Sequence, residues 1–95
     1  IGIDELSAQG ISLEQNFPNP ASGNTVIHYS IPAYGKVKLY VTDVLGREMK
    51  ILVNGNEADG EHQSELNVRN LSNGMYYFTL EYNGQKAVRK FVVEK

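Results

Sequence analysis

The stretch MYYFTLEYNGQKAVRKFVV joins two alternating runs through Asn83-Gly84. Asn-Gly is the preferred pair for a two-residue type I′ turn, because both central positions need positive φ. So short a loop leaves one register open. Tyr82 must face Gln85, Leu80 Ala87, Phe78 Arg89 and Tyr76 Phe91. The other face then pairs Glu81 with Lys86 and Thr79 with Val88. The first face is apolar and needs a second layer to cover it. Arg89 falls on that apolar phase, so it must lie near an edge, snorkel or sit beside a bulge.

The rest of the chain repeats this grammar. No segment holds a helical period for long, and turn residues recur about every 8 to 15 positions. GISLEQN reads as a first short strand. Thr25 to Ile31 alternates, with Ile27, Tyr29 and Ile31 on one face and Val26, His28 and Ser30 on the other. Between these two lies NFPNPASGN, a stiff extended connector in which Phe17 is expected to pack against an open end of the fold. Its prolines have no N–H to offer a neighbouring edge. KVKLYVTD points Val37, Leu39 and Val41 one way and Lys36, Lys38, Tyr40 and Thr42 the other. In DVLGR a tight turn is expected, with Gly46 at positive φ. REMKILV continues as a strand, NGNEADGE as a polar hairpin loop, and HQSELNV as a weak strand with Leu66 and Val68 inward. About seven short antiparallel strands predict an all-β, immunoglobulin-like sandwich, although the Cys…Trp…Cys hallmark is absent.

Composition bounds what such a sandwich can do. The 95 residues make one domain with a modest core, 41% hydrophobic and 21% charged. A net charge of −2 gives no electrostatic case for nucleic acid. Without cysteine, disulfides and thiolate metal sites are excluded. No apolar run approaches the roughly 20 residues of a membrane span. The start at Ile1 reads as a cut from a longer protein, with residues 1–9 a linker from a preceding domain and residues 10–95 the domain itself.

The search for chemistry is negative. His28 and His62 are the two histidines; a zinc site needs three or four convergent ligands, and the spacing suggests none. Asn54, Asn56, Glu57, Asp59 and Glu61 offer oxygens, but the EF-hand spacing is not met, and a solvated loop is the simpler reading. No serine stands in a G-x-S-x-G elbow, and the nine glycines are scattered at turns rather than gathered in a phosphate loop. No catalytic residue, metal or cofactor is expected. Six tyrosines, among them Tyr34, Tyr40 and Tyr77, leave an adhesion or carbohydrate-binding module as the alternative to the reading below.

LEQNFPNPASGNTVIHYSIP, KVKLYVTDVLGREM, LSNGMYYFTL and the closing AVRKFVVEK occur in that order, and the last ends at Lys95. Together they resemble the C-terminal sorting domain of type IX secretion cargo in Bacteroidetes-type bacteria, the Por secretion tail family, type A. The resemblance covers about residues 10–95. Ala21-Ser22-Gly23 is shorter than the segment that usually follows the proline motif in that family. The resemblance implies a non-catalytic secretion signal in the form of a folded domain, on a cargo that is transiently periplasmic and finally secreted or on the cell surface. The implied partners are the outer-membrane translocon with its shuttle protein, and a sortase-like peptidase that cuts before the domain, where SAQG looks accessible. By motif match the positions implied are Pro18, Asn19 and Pro20; Asp43, Gly46 and Arg47; Gly74 and Tyr76; and the run Lys90, Phe91, Val92, Val93, Glu94 and Lys95. The first three groups have ready structural explanations as connector, turn and core. For the closing run, translocon recognition is expected. Phe91 and Val93 should also close the core, whereas Glu94 and Lys95 should form a frayed end open to strand addition.

Overall fold

A computed structural model describes residues 10–95. The expected linker 1–9, with Asp4, Glu5 and most of SAQG, lies outside the described residues. Seven strands form two antiparallel sheets: β1 (Ser12–Leu13), β2 (Asn24–Ile31), β3 (Gly35–Thr42), β4 (Glu48–Glu57), β5 (Gly60–Asn67), β6 (Gly74–Tyr82) and β7 (Gln85–Val93). One sheet has the order β1-β2-β5 and the other β4-β3-β6-β7. This is an all-β, immunoglobulin-like sandwich. Its fourth strand pairs with β3, whereas in the constant-type immunoglobulin domain that strand lies beside the fifth.

The core follows from the alternation. Ile27, Tyr29 and Ile31 of β2 meet Val37, Leu39 and Val41 of β3, and Phe78, Leu80, Phe91 and Val93 fill the layer from β6 and β7. Phe91 sits between two rings, 5.6 Å from Phe78 and 5.8 Å from Tyr76, tilted against both. Leu66 and Val68 are fully buried. The β6–β7 register is the expected one at all six pairs named above. Its turn has Asn83 at φ 49° and Gly84 at φ 80°. Arg89 lies on edge strand β7, and its Nε donates to the Leu13 carbonyl at 2.8 Å. The misfit thus becomes a tie between the two sheets.

Five expectations are corrected. The first strand is two residues long, not seven. Glu14 still donates to the His28 carbonyl, but Phe17 pairs with Val26, one residue out of that register. The extra residue is a bulge that turns Asn16 inward, to 2% exposure. For the same reason Phe17 does not pack on the end of the sandwich. Asn16 takes the inward position and Phe17 stands 77% exposed.

The connector is also not extended. Both Phe17-Pro18 and Asn19-Pro20 are cis, and the segment folds back through bends. Asn16 Nδ2 and Thr25 Oγ1 both donate to the Pro18 carbonyl, at 3.1 and 2.8 Å. Far from denying bonds to an edge, the segment makes them to β7.

Six of the eight residues of NGNEADGE are strand. β4 runs through Asn54, Gly55, Asn56 and Glu57 because β3 pairs with it as far as Gly35–Glu57. Ala58-Asp59 remains as the link, and it crosses between sheets rather than closing a hairpin.

Finally, the chain end is tied. Glu94 N donates to the Ala21 carbonyl at 2.9 Å. Lys95 N donates to Asn73 Oδ1 at 3.0 Å, and Lys95 Nζ to the Arg69 carbonyl at 3.0 Å. The fraying expected of a terminus is opposed by three partners distant in sequence.

Candidate recognition surface

The motif positions, scattered along the sequence, gather at one end of the sandwich. β3 leaves Thr42 beside Tyr77, so Asp43 lies past the end of β3 where β6 begins. Gly74 pairs with Val93 and Tyr76 with Phe91. The proline segment binds the same end of β7. Ala21 N donates to the Val92 carbonyl at 2.8 Å, and Val92 N donates to Asn19 Oδ1 at 3.1 Å. With Gln15 Nε2 on the Lys90 carbonyl at 2.8 Å, these bonds clasp the outer edge of the last strand. The Asn83-Gly84 turn lies at the opposite end.

Each motif has its own local chemistry. In DVLGR, Gly46 N donates to the Asp43 carbonyl and Asp43 N to the Arg47 carbonyl, both at 3.0 Å. Gly46 holds φ 84°, so a type I turn closes through a left-handed glycine. Asp43 Oδ1 accepts from Leu45 N and Arg47 N, both at 2.9 Å, and Oδ2 from Arg47 Nε at 2.7 Å. The bond from the Arg47 amide, then the Arg47 side chain and the Leu45 amide, outweigh partial desolvation and hold its carboxyl below the usual range. Gly74 holds φ 146°, which side-chain-bearing residues rarely adopt. Tyr76 is buried, and its hydroxyl donates to the Ser72 carbonyl at 2.8 Å. Pro18, Asn19, Pro20, Arg47, Lys90, Glu94 and Lys95 are exposed, whereas Phe91 and Val93 are core residues.

Asp43 and Gly46 were readable as a D-x-x-G turn. The bonding roles of Gln15, Asn16 and Asn19 were not, although amide side chains beside prolines commonly bond local backbone.

Elsewhere several polar groups are internally engaged. Tyr29 Oη donates to Glu57 Oε1 at 2.5 Å, and the His62 ring stacks on Tyr29 at 5.4 Å. Burial, then Glu57, raises the Tyr29 phenol well above its ordinary value. Tyr40 Oη donates to Glu81 Oε2 at 2.5 Å; burial, then Glu81, pushes this phenol up to about 12. His62 Nε2 meets the Ala58 carbonyl at 2.7 Å. No cluster of three or more metal-ligating side chains occurs among the described residues. The tyrosines form no single platform. Tyr29, Tyr76 and Tyr82 are buried, Tyr34 is on a loop, and Tyr40 and Tyr77 share the outer face of the larger sheet.

No curated protein matches the chain. A family model, the secretion system C-terminal sorting domain, matches residues 15–94, which take in all of the four motifs but Leu13, Glu14 and Lys95. Since that match covers nearly the whole sandwich, the chain belongs to the family of type IX secretion C-terminal sorting domains.

Proposed function

We propose that this domain is a non-catalytic signal that carries its cargo from the periplasm across the outer membrane by type IX secretion. The family match over residues 15–94 carries the reading, and with it a secreted or cell-surface destination for the cargo. The translocon and its shuttle protein read the folded domain at its motif end, through the exposed members of the run Lys90–Lys95 beside the Pro18-Asn19-Pro20 clasp. A sortase-like peptidase then cuts before residue 10. The clasp changes the contact expected at the closing run. Val92 and Glu94 already spend edge groups on Asn19 and Ala21, so the partner reads side chains rather than a free strand end.

The test fuses residues 1–95 to a reporter bearing an inner-membrane signal, in a type IX-competent bacterium and in its translocon mutant. Export is expected in the first, with periplasmic accumulation in the second. Equal export in both strains would refute the proposal. Mass spectrometry of the exported reporter should find the domain removed; a reporter still carrying it would refute the cleavage step alone.

A further inference from the structure

The two outer faces of the sandwich differ in kind. On the smaller sheet the exposed charges beside β2 are Glu14, Glu61 and Glu65; no lysine or arginine stands within β1, β2 or β5, and Arg69 follows beyond the end of β5. On the larger sheet the outward phase carries Lys36 and Lys38 of β3 and Lys86 and Lys90 of β7, against Glu48 and Glu81. Both glutamates are already engaged. Glu48 pairs with Lys38 at 3.3 Å, while Glu81 accepts from Tyr40 and lies 3.7 Å from Lys86. Lys36 and Lys90 have no carboxylate within salt-bridge distance among the described residues.

Between these cations the face is apolar. Register places Ile51, Tyr40, Thr79 and Val88 in one row across all four strands. Ile51 and Val88, at its two ends, are each 47% exposed. Tyr77 and Met75 extend the patch toward the motif end, where Met75 pairs with Val92. At the other end Lys36, Lys38 and Lys86 border an open hollow of about 440 Å³, which can seat an acidic side chain. A flat apolar row inside a cationic rim, on a chain of net charge −2, has the form of an interface rather than a solvated sheet face. It is continuous with the closing run, because Lys90 and Val92 belong to its outward phase.

We infer that this face docks a protein component of the export machinery whose contact patch has an apolar centre and an acidic rim. The inference rests on the sorting reading above and names the surface through which that reading operates. Tyr77 and Val88 bury against the partner's apolar centre, and Lys36, Lys86 and Lys90 meet its carboxylates. Such complementarity steers encounter and rejects like-charged surfaces. The acidic face of the smaller sheet is then left turned away from the partner.

The test uses the reporter fusion with Val88→Asp, Lys90→Glu and, on the opposite face, Glu65→Lys. Val88→Asp and Lys90→Glu are expected to lower the exported fraction about tenfold, which corresponds to about 1.4 kcal/mol of binding. Glu65→Lys should leave it unchanged, and all three should melt as the parent does. Since Val88→Asp could weaken the fold, a photocrosslinking residue at Tyr77 supplies a second readout. It should capture an outer-membrane type IX component, and the same residue at Glu65 should not. Normal export of both larger-face variants, while deletion of residues 10–95 abolishes export, would overturn this inference and leave the sorting reading intact. Export that survives that deletion would overturn both. Crosslinking at Tyr77 to an acidic polysaccharide, rather than to a protein, would also overturn the inference.

Discussion

Gly46 shows what one residue must supply. No heavy atom lies within 4 Å of where its Cβ would be, so a substitution meets no clash. The cost is backbone conformation alone, φ 84° being disfavoured for a β-branched residue. Gly46→Val should lower stability by about 1–3 kcal/mol. An unchanged urea midpoint would mean that the turn does not need its left-handed glycine. Asn16 makes the complementary case in the interior. Asn16→Ala removes the donors to the Pro18 carbonyl and Thr25 Oγ1 and leaves both acceptors short of a partner. A loss of about 1–3 kcal/mol is expected in the same assay.

Titration at single residues contributes to the pH dependence of stability on both sides. Asp43 has a folded pKa below its unfolded value, so the unfolded chain binds more protons as pH falls. Its stabilisation is present above the ordinary carboxylate range and is lost as pH drops through the folded pKa. Asp43→Asn should flatten that acid limb. Tyr40 has the opposite sign. Its folded pKa of about 12 exceeds the ordinary 10.0, so its contribution is intact below 10 and fades as pH rises toward 12. Tyr40→Phe should reduce the alkaline loss, followed by denaturation midpoints across that window.

At the level of elements, the clasp on β7 gives the sharpest prediction. Val92 N and Glu94 N have partners in the proline segment, so both amides should resist hydrogen exchange. Removing Glu94 and Lys95 deletes three hydrogen bonds and should cost on the order of 1 kcal/mol, the two Lys95 bonds being solvent-exposed. A truncated chain as stable as the parent would show the end to be loose after all. The same elements show what sequence can reveal. The β6–β7 hairpin was legible to every pair because a two-residue turn leaves no freedom of register. β4 was legible only as far as Val53, because an edge strand tolerates polar residues on both phases and then resembles a loop. The clasp was illegible, since it depends on a bulge that breaks the alternation at Asn16 and on partners more than 70 residues apart for Gln15 and Asn19.

In the molecule as a whole, the gathering of four motifs at one end could not be read from their order. It follows from which strands share a sheet, and β4 joining β3 rather than β5 was not encoded in any local pattern. The charge difference between the two faces is hidden in the same way, because each strand alone alternates unremarkably. If that assembled surface is the signal, the motifs without the fold should not suffice. The most direct measurement is the exported fraction of the reporter fusion carrying Leu66→Asp, normalised to intact reporter in the periplasm. Leu66 is fully buried on β5 opposite Thr25, and it lies outside all four motif stretches. A buried unpaired carboxylate should unfold a domain this small. Loss of export together with the folded-state melt is the predicted result. Export at the parent level from a chain that shows no melting transition would contradict the account, because the signal would then lie in the linear motifs alone.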